Sequence, residues 1–292
     1  KTAAKKLIDQ LSASAKTTGD VYVSIIPVSK DGNISSIATT SSPWLRWDLW
    51  EDAWQSTNGT CSKKDSNNKP IKTEAACVAK KVGGTWTPSP LPAYSTWNGC
   101  VTDRDQNYDV QSTPPYAVMA TAGASASLAT QFPTEQYSSC PQAITPLSYE
   151  WSTLKTKIDA MQPSGNTHQG IGLAWGWLSL LQQSPLNAPA EDSNYKYSKV
   201  IILLSDGDNT ENRFSTSTST IDKRQKLICD NAKAAGVIVY TIQVNTNNDN
   251  TSTVMSYCAS SSDNFFSTTS ANGIGTAFSS IGNALSKLRL AR

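Results

Sequence analysis

Residues 199–210 read KVIILLSDGDNT, and this stretch decides the fold. Five consecutive branched or apolar residues, Val200 to Leu204, run directly into Ser205-Asp206-Gly207-Asp208. A short apolar run without polar alternation suits a central parallel strand covered on both faces. Periodicity alone does not separate it from a buried helical turn; the β-branched content and the Asp-Gly terminator favour the strand. Open α/β sheets bind ligands at the carboxyl ends of such strands, which makes Asp206 a candidate functional carboxylate. Asp-Gly is equally the pair that a plain backbone turn uses.

Working outward, strands and helices alternate. Residues 1–14 repeat Ala3, Ala4, Leu7, Ile8 and Leu11 at helical spacing, and 21–27 (VYVSIIP) read as a strand stopped by proline. Residues 143–147 read as a short strand, and Leu154, Ile158 and Met161 mark a helix. After a turn at 163–167, Ile171, Ala174, Trp177, Leu178 and Leu181 mark another, with Thr167 as its expected N-cap. Downstream lie a helix over 221–235 closed by Gly236, a strand over 237–244, a polar loop over 245–250, and a short helix over 254–259. A brief strand at Phe265-Phe266 and a final amphipathic helix through Ile274, Phe278, Ile281, Leu285 and Leu288 complete the chain. The expected class is α/β, a mainly parallel sheet with helices on both faces.

Residues 29–139 interrupt this pattern with Ser, Thr, Asn, Pro and Trp. They divide the chain into 1–28, an insertion over 29–139, and 140–292. Trp44, Trp47, Trp50 and Trp54 fall three or four apart, on one face if Pro43 opens a helix. Such a stripe is either a docking surface for protein or glycan or the core of a small lobe.

The 292 residues carry 25 Lys+Arg against 23 Asp+Glu, a net charge of +2 that offers no footprint for nucleic acid. No apolar run reaches the roughly 18 residues of a membrane helix, and the start shows no signal-peptide pattern. Lys1 opens within a helix and without a methionine, as a fragment of something longer does. Six cysteines lack C-x-x-C spacing and only His168 could assist them with zinc, so disulfides in an oxidising compartment are expected. Nearest-neighbour order pairs Cys61–Cys77, Cys100–Cys140 and Cys229–Cys258, one of fifteen connectivities. Ser205, Asp206 and His168 raise a hydrolase, but no G-x-S-x-G elbow is present, and no phosphate loop occurs either.

The ordered stretches KTAAKKLIDQL at Lys1, VYVSIIPVS at Val21, GNTHQGIGLAWGWLSL at Gly165, IILLSDGDNTENRF at Ile201, CDNAKAAGVIVYTIQV at Cys229, CASSSDNFF at Cys258 and IGNALSKLRL at Ile281 resemble a von Willebrand factor A domain. The version is similar to the TadG-type proteins of bacterial tight-adherence (Flp-type) pilus systems. The resemblance implies a Rossmann-like sheet and an adhesion site for Mg²⁺, with Thr167 and Asp206 as two of its ligands. The remaining ligands belong to an Asp-x-Ser-x-Ser loop that, with the usual first strand, is expected upstream of Lys1. This chain is therefore expected to hold no metal by itself, Mg²⁺ requiring those upstream residues. The resemblance further implies a non-enzymatic binding or assembly protein, periplasmic or on the bacterial surface. Its partners would be pilus or envelope proteins, with membrane contact only through an upstream anchor. A surface adhesin that binds host protein or glycan through the Trp-rich insertion is the alternative.

Overall fold

The computed structural model describes residues 1–115, 128–245 and 250–288; residues 116–127 of the expected insertion and 246–249 of the expected polar loop lie outside them. Along the chain run α1 (Thr2–Ser14), β1 (Val23–Ile25), β2 (Gly32–Asn33), β3 (Leu45–Arg46), α2 (Asp48–Thr57), β4 (Gly59–Cys61), α3 (Glu74–Val78), β5 (Trp86–Pro88), β6 (Cys100–Val101) and β7 (Phe132–Pro133). There follow β8 (Thr145–Ser148), α4 (Trp151–Ala160), α5 (Gln169–Ser179), β9 (Val200–Ser205), α6 (Thr218–Ala234), β10 (Ile238–Val244), α7 (Thr253–Cys258), β11 (Phe265–Thr268) and α8 (Ala271–Leu288).

The stretch at 200–205 is a strand, and it forms a parallel three-stranded sheet in the order β11-β10-β9, with Ile201 opposite Val239 and Gln243 opposite Ser267. Successive side chains of a strand point to opposite faces, and each face here meets helices. Val200 and Ile202 turn toward Leu7, Leu11, Phe278 and Ile281 on α1 and α8. Ile201 and Leu203 turn toward Leu173, Trp177, Ile228 and Ala232 on α5 and α6. Full burial of residues such as Ile242 and Ile281 stabilises this sandwich by about 1.5–3 kcal/mol each. At the end of α6, Gly236 takes φ +81°, its amide bonds Lys233 O, and the Val237 amide returns to Ala232 O. That left-handed closure turns the chain sharply into β10.

The single sheet expected from the sequence is instead split. β1 and β8 form a separate antiparallel ribbon, Val23 opposite Ser148, and shorter than the strands read at 21–27 and 143–147. β9 ends the parallel sheet, its outer edge without a strand partner among the described residues. Both flanks line one helical layer, since Val23 packs in the same cluster as Val200 and Ile202. Leu204, in a run suited to a central strand, is consequently 44% exposed.

Three disulfides join Cys61–Cys77, Cys100–Cys140 and Cys229–Cys258, the last tying α6 to α7. Within the insertion, β2 pairs β6, β3 pairs β7 and β4 pairs β5. The tryptophan stripe needs correction. Pro43 lies in a turn, 45–46 is a strand, and the helix starts at Asp48, so Trp44 is not on it. Trp44 and Trp50 are buried, Trp47 stacks on Tyr94 at 4.3 Å and meets Trp50 and Trp97 edge-on, and Trp54 donates to Pro90 O at 3.1 Å. These indoles supply apolar volume to a lobe poor in aliphatic residues, with Trp47 and Trp54 left half-buried. The insertion rests on α5 through Phe132, stacked on the fully buried Trp175 at 4.4 Å.

Candidate functional site

Two loops meet at the carboxyl end of the parallel sheet, 165–168 before α5 and 206–217 after β9. Their junction is a set of reciprocal backbone and amide bonds. Thr167 N donates to Thr210 Oγ1 at 2.8 Å, and Thr210 N returns to Thr167 O at 2.9 Å. Gln169 Nε2 donates to Gly207 O at 2.8 Å, while the Gln169 backbone amide donates to Asn209 Oδ1 at 2.8 Å. Asn209 Nδ2 in turn reaches Gln225 Oε1 at 2.6 Å and Asp222 Oδ1 at 2.7 Å, and Gln225 Nε2 closes the ring on Gln169 Oε1 at 2.9 Å. Asn209 and Gln225 are fully buried, where an unpaired amide would cost several kcal/mol, so the ring fixes both loops. Gly165 makes the close approach at φ +80°: a Cβ there would lie 2.5 Å from the Tyr137 hydroxyl, which accepts the Asn166 amide at 2.9 Å.

This frame alters the expected role of Thr167. The N-cap of α5 is His168, without a side-chain cap bond, and the first-turn amide is satisfied from the other loop by Asn209. A polar side chain arriving across space does what a local hydroxyl usually does. The structure thus brings the loops of Thr167 and Asp206 together, Thr167 half-buried and Asp206, Gly207 and Asp208 exposed.

The insertion covers one flank of this site with charge, a contact absent from the sequence reading. Asp103 Oδ1 lies 2.9 Å from His168 Nε2, both side chains buried. Arg213 donates to Asp103 O at 2.9 Å and to Asp105 Oδ1 at 2.6 Å, and Arg46 donates to Asp105 Oδ2 at 2.8 Å. On α6, Arg224 grips Asp109 with two bonds of 2.5 and 3.0 Å. Burial pushes the Asp109 carboxyl up, opposed by Arg224. Burial also lowers the Arg104 guanidinium to about 10, and it donates to Thr113 O at 2.6 Å and to Gln111 O. The signal was the acidic run VTDRDQNYD at 101–109, within an insertion otherwise rich in hydroxyls.

Below it lies Asp31, fully buried. Burial, then the charge of Glu135, pushes its carboxyl up to about 8, against the pull of Lys30 at 3.7 Å. Neither oxygen makes a hydrogen bond of sound geometry, although the Thr102 hydroxyl lies beside it. Burial would lower the Lys30 ammonium, but Asp31 and Glu135 hold it above its ordinary value.

A hydrolytic centre does not form from the residues raised for it. The Ser205 hydroxyl donates to Gly207 O at 3.0 Å, and the His168 Nε2 edge faces Asp103. For Mg²⁺, Thr167 and Asp206 contribute two protein oxygens, and no group of three or more His, Cys, Asp or Glu converges among the described residues. Two protein oxygens fall short of the six that Mg²⁺ takes, so the residues described do not fit the ion.

No curated protein matches the sequence. Among solved structures, the chain is similar to proximal thread matrix protein 1 from the mussel byssus, with 22% identity and a TM-score of 0.33, covering 47% of this chain and 29% of that one. It is also similar to the pilus adhesin SpaC from Lactobacillus rhamnosus GG, with 15% identity and a TM-score of 0.37, covering 49% of this chain and 22% of that one. The chain thus spans less than a third of either protein. Residues 118–280, more than half of the chain, match the model of the von Willebrand factor type A domain. Together with the parallel sheet flanked by helices and the paired loops at its carboxyl end, that match establishes that the chain belongs to the von Willebrand factor type A family.

Proposed function

We propose that this chain is a non-enzymatic, extracytoplasmic binding protein that engages a protein partner through the loop over 206–208. The observation behind this reading is the contrast within the site: Asp206 and Asp208 are exposed, yet their loop is anchored by the buried Gln169–Asn209–Gln225 ring. A preorganised exposed loop loses little conformational entropy on binding. Three disulfides support an oxidising compartment. No helix among the described residues is long and apolar enough to cross a membrane.

Within that reading, the resemblance of the ordered motifs supports a place in tight-adherence pilus assembly in the bacterial envelope. Thr167 and Asp206 act there as surface contacts, and this chain by itself holds no ordered divalent ion. The test replaces Asp206, and separately Lys72 in the insertion, with a photo-crosslinking residue in cells that make the protein. The expected result is a cross-link to a pilus or envelope protein from position 206 only. Cross-links from position 72 alone, or none from 206, would overturn the assignment. Calorimetric titration with Mg²⁺ should give no binding heat, and a stoichiometric heat abolished by Asp206→Ala would refute the metal-free reading.

A further inference from the structure

The lobe at 59–88 has a charge that the chain total conceals. Lys63, Lys64, Lys69, Lys72, Lys80 and Lys81 stand against Asp65 and Glu74, giving +4 where the whole chain carries +2, so the rest carries −2. All six lysines are exposed. None forms an ion pair with a carboxylate among the described residues, whereas Lys30, Arg46, Arg213 and Arg224 all do. Asp65 serves its own turn, accepting the Asn67 and Lys69 amides at 2.9 Å.

The frame beneath these cations is rigid. β4 pairs β5, and the Cys61–Cys77 disulfide closes the lobe so tightly that a Cβ at Gly84 would lie 2.8 Å from both sulfurs. Thr73 caps α3, and the Trp86 indole anchors the hairpin to Gln55 O at 2.8 Å. Lys63 Nζ donates to Val82 O at 3.0 Å, which brings it beside the Lys80-Lys81 turn, and Lys64 bridges Pro70 next to Lys69. Like charges held within about one Debye length, roughly 8 Å at physiological salt, repel, and a matching polyanion relieves that repulsion.

The residue types narrow the partner. Protein interfaces favour aromatic residues and Arg and deplete Lys; this lobe offers lysine, no arginine, and one aromatic side chain, Trp86, which is buried. Without an exposed aromatic platform it lacks the stacking surface that single-stranded nucleic acid uses. Lysine is a compact, strongly hydrated point charge without the bidentate fork that arginine offers to nucleic-acid phosphates. We infer that residues 59–88 form a docking surface for an acidic polysaccharide, a polymer carrying carboxylates along its length.

The test measures binding of the full chain to alginate, neutral dextran, poly-glutamate and duplex DNA in about 50 mM salt and again in about 200 mM salt. Alginate should bind, lose affinity steeply with salt, and bind more tightly than the other three. Combining Lys63→Glu, Lys64→Glu, Lys80→Glu and Lys81→Glu should weaken alginate by about tenfold or more, with circular dichroism unchanged. The four Lys→Gln changes at the same positions provide a neutral variant should the reversal disturb folding. Binding to alginate no tighter than to dextran, or unchanged in the Gln variant, would overturn the inference. So would tighter binding of poly-glutamate, which identifies an acidic peptide, or of DNA.

Discussion

Breaking the grip of Arg224 on Asp109 should unfasten the insertion from the core in a measurable, non-additive way. The Asp109 side chain is 5% exposed and that of Arg224 17%, joined by two parallel bonds. Arg224→Ala strands a carboxylate that burial already disfavours, and removing one partner of a buried pair costs about 3–5 kcal/mol. Asp109→Ala leaves a guanidinium that keeps Asn107 Oδ1 at 3.1 Å and some access to water, a loss of about 1–3 kcal/mol. The double variant strands neither charge, so its loss should fall short of the sum by about 1–3 kcal/mol. Urea unfolding at neutral pH, followed by tryptophan fluorescence with disulfides intact, supplies all four corners of the cycle. Additivity within about 0.5 kcal/mol would refute the clamp and leave the insertion held by apolar contacts such as Phe132 on Trp175.

Stability should also depend on pH through Asp31. Folded, its carboxyl titrates near 8; unfolded, near the ordinary value of 3.8. Between these values the folded chain keeps a proton that the unfolded chain releases, so rising pH favours unfolding across that window and the slope vanishes above it. Asp31→Asn removes the contribution, and its stability advantage over the unmodified protein should widen from about pH 5 to about pH 8; a constant difference in urea midpoints would refute this. Replacing Cys229 and Cys258 together by Ser opens a loop spanning 29 residues and should cost about 3–4 kcal/mol, with a loss under about 1 kcal/mol counting against a structural role.

How much of this was legible in the sequence differs by element. The strand at 200–205 and the helix at 218–234 were readable because one-dimensional patterns encode them: an unbroken apolar run, and a helical period closed by Gly236. Thr167 was misread because its position before a helix predicts a cap, while the bond that fills that role comes from Asn209, forty residues away from Gln169. The tryptophans followed the helical period from Trp47 to Trp54, but the strand at 45–46 removed Trp44 from the series. Asp103, Asp105 and Asp109 were invisible as a clamp, since their partners Arg213 and Arg224 lie more than a hundred residues downstream. Of the basic lobe, the Lys63-Lys64 and Lys80-Lys81 pairs are visible in the sequence, but averaging charge over 292 residues erases the local excess they belong to.

The disulfides also set how the molecule answers a pulling force. With the chain drawn from its ends, the 40 residues spanned by Cys100–Cys140 and the 29 spanned by Cys229–Cys258 cannot pay out. At about 3.4 Å per extended residue, those loops withhold roughly 140 Å and 100 Å of length. Tension therefore passes from α6 to α7 through sulfur, so β10 between them bears no direct load until the disulfide is reduced.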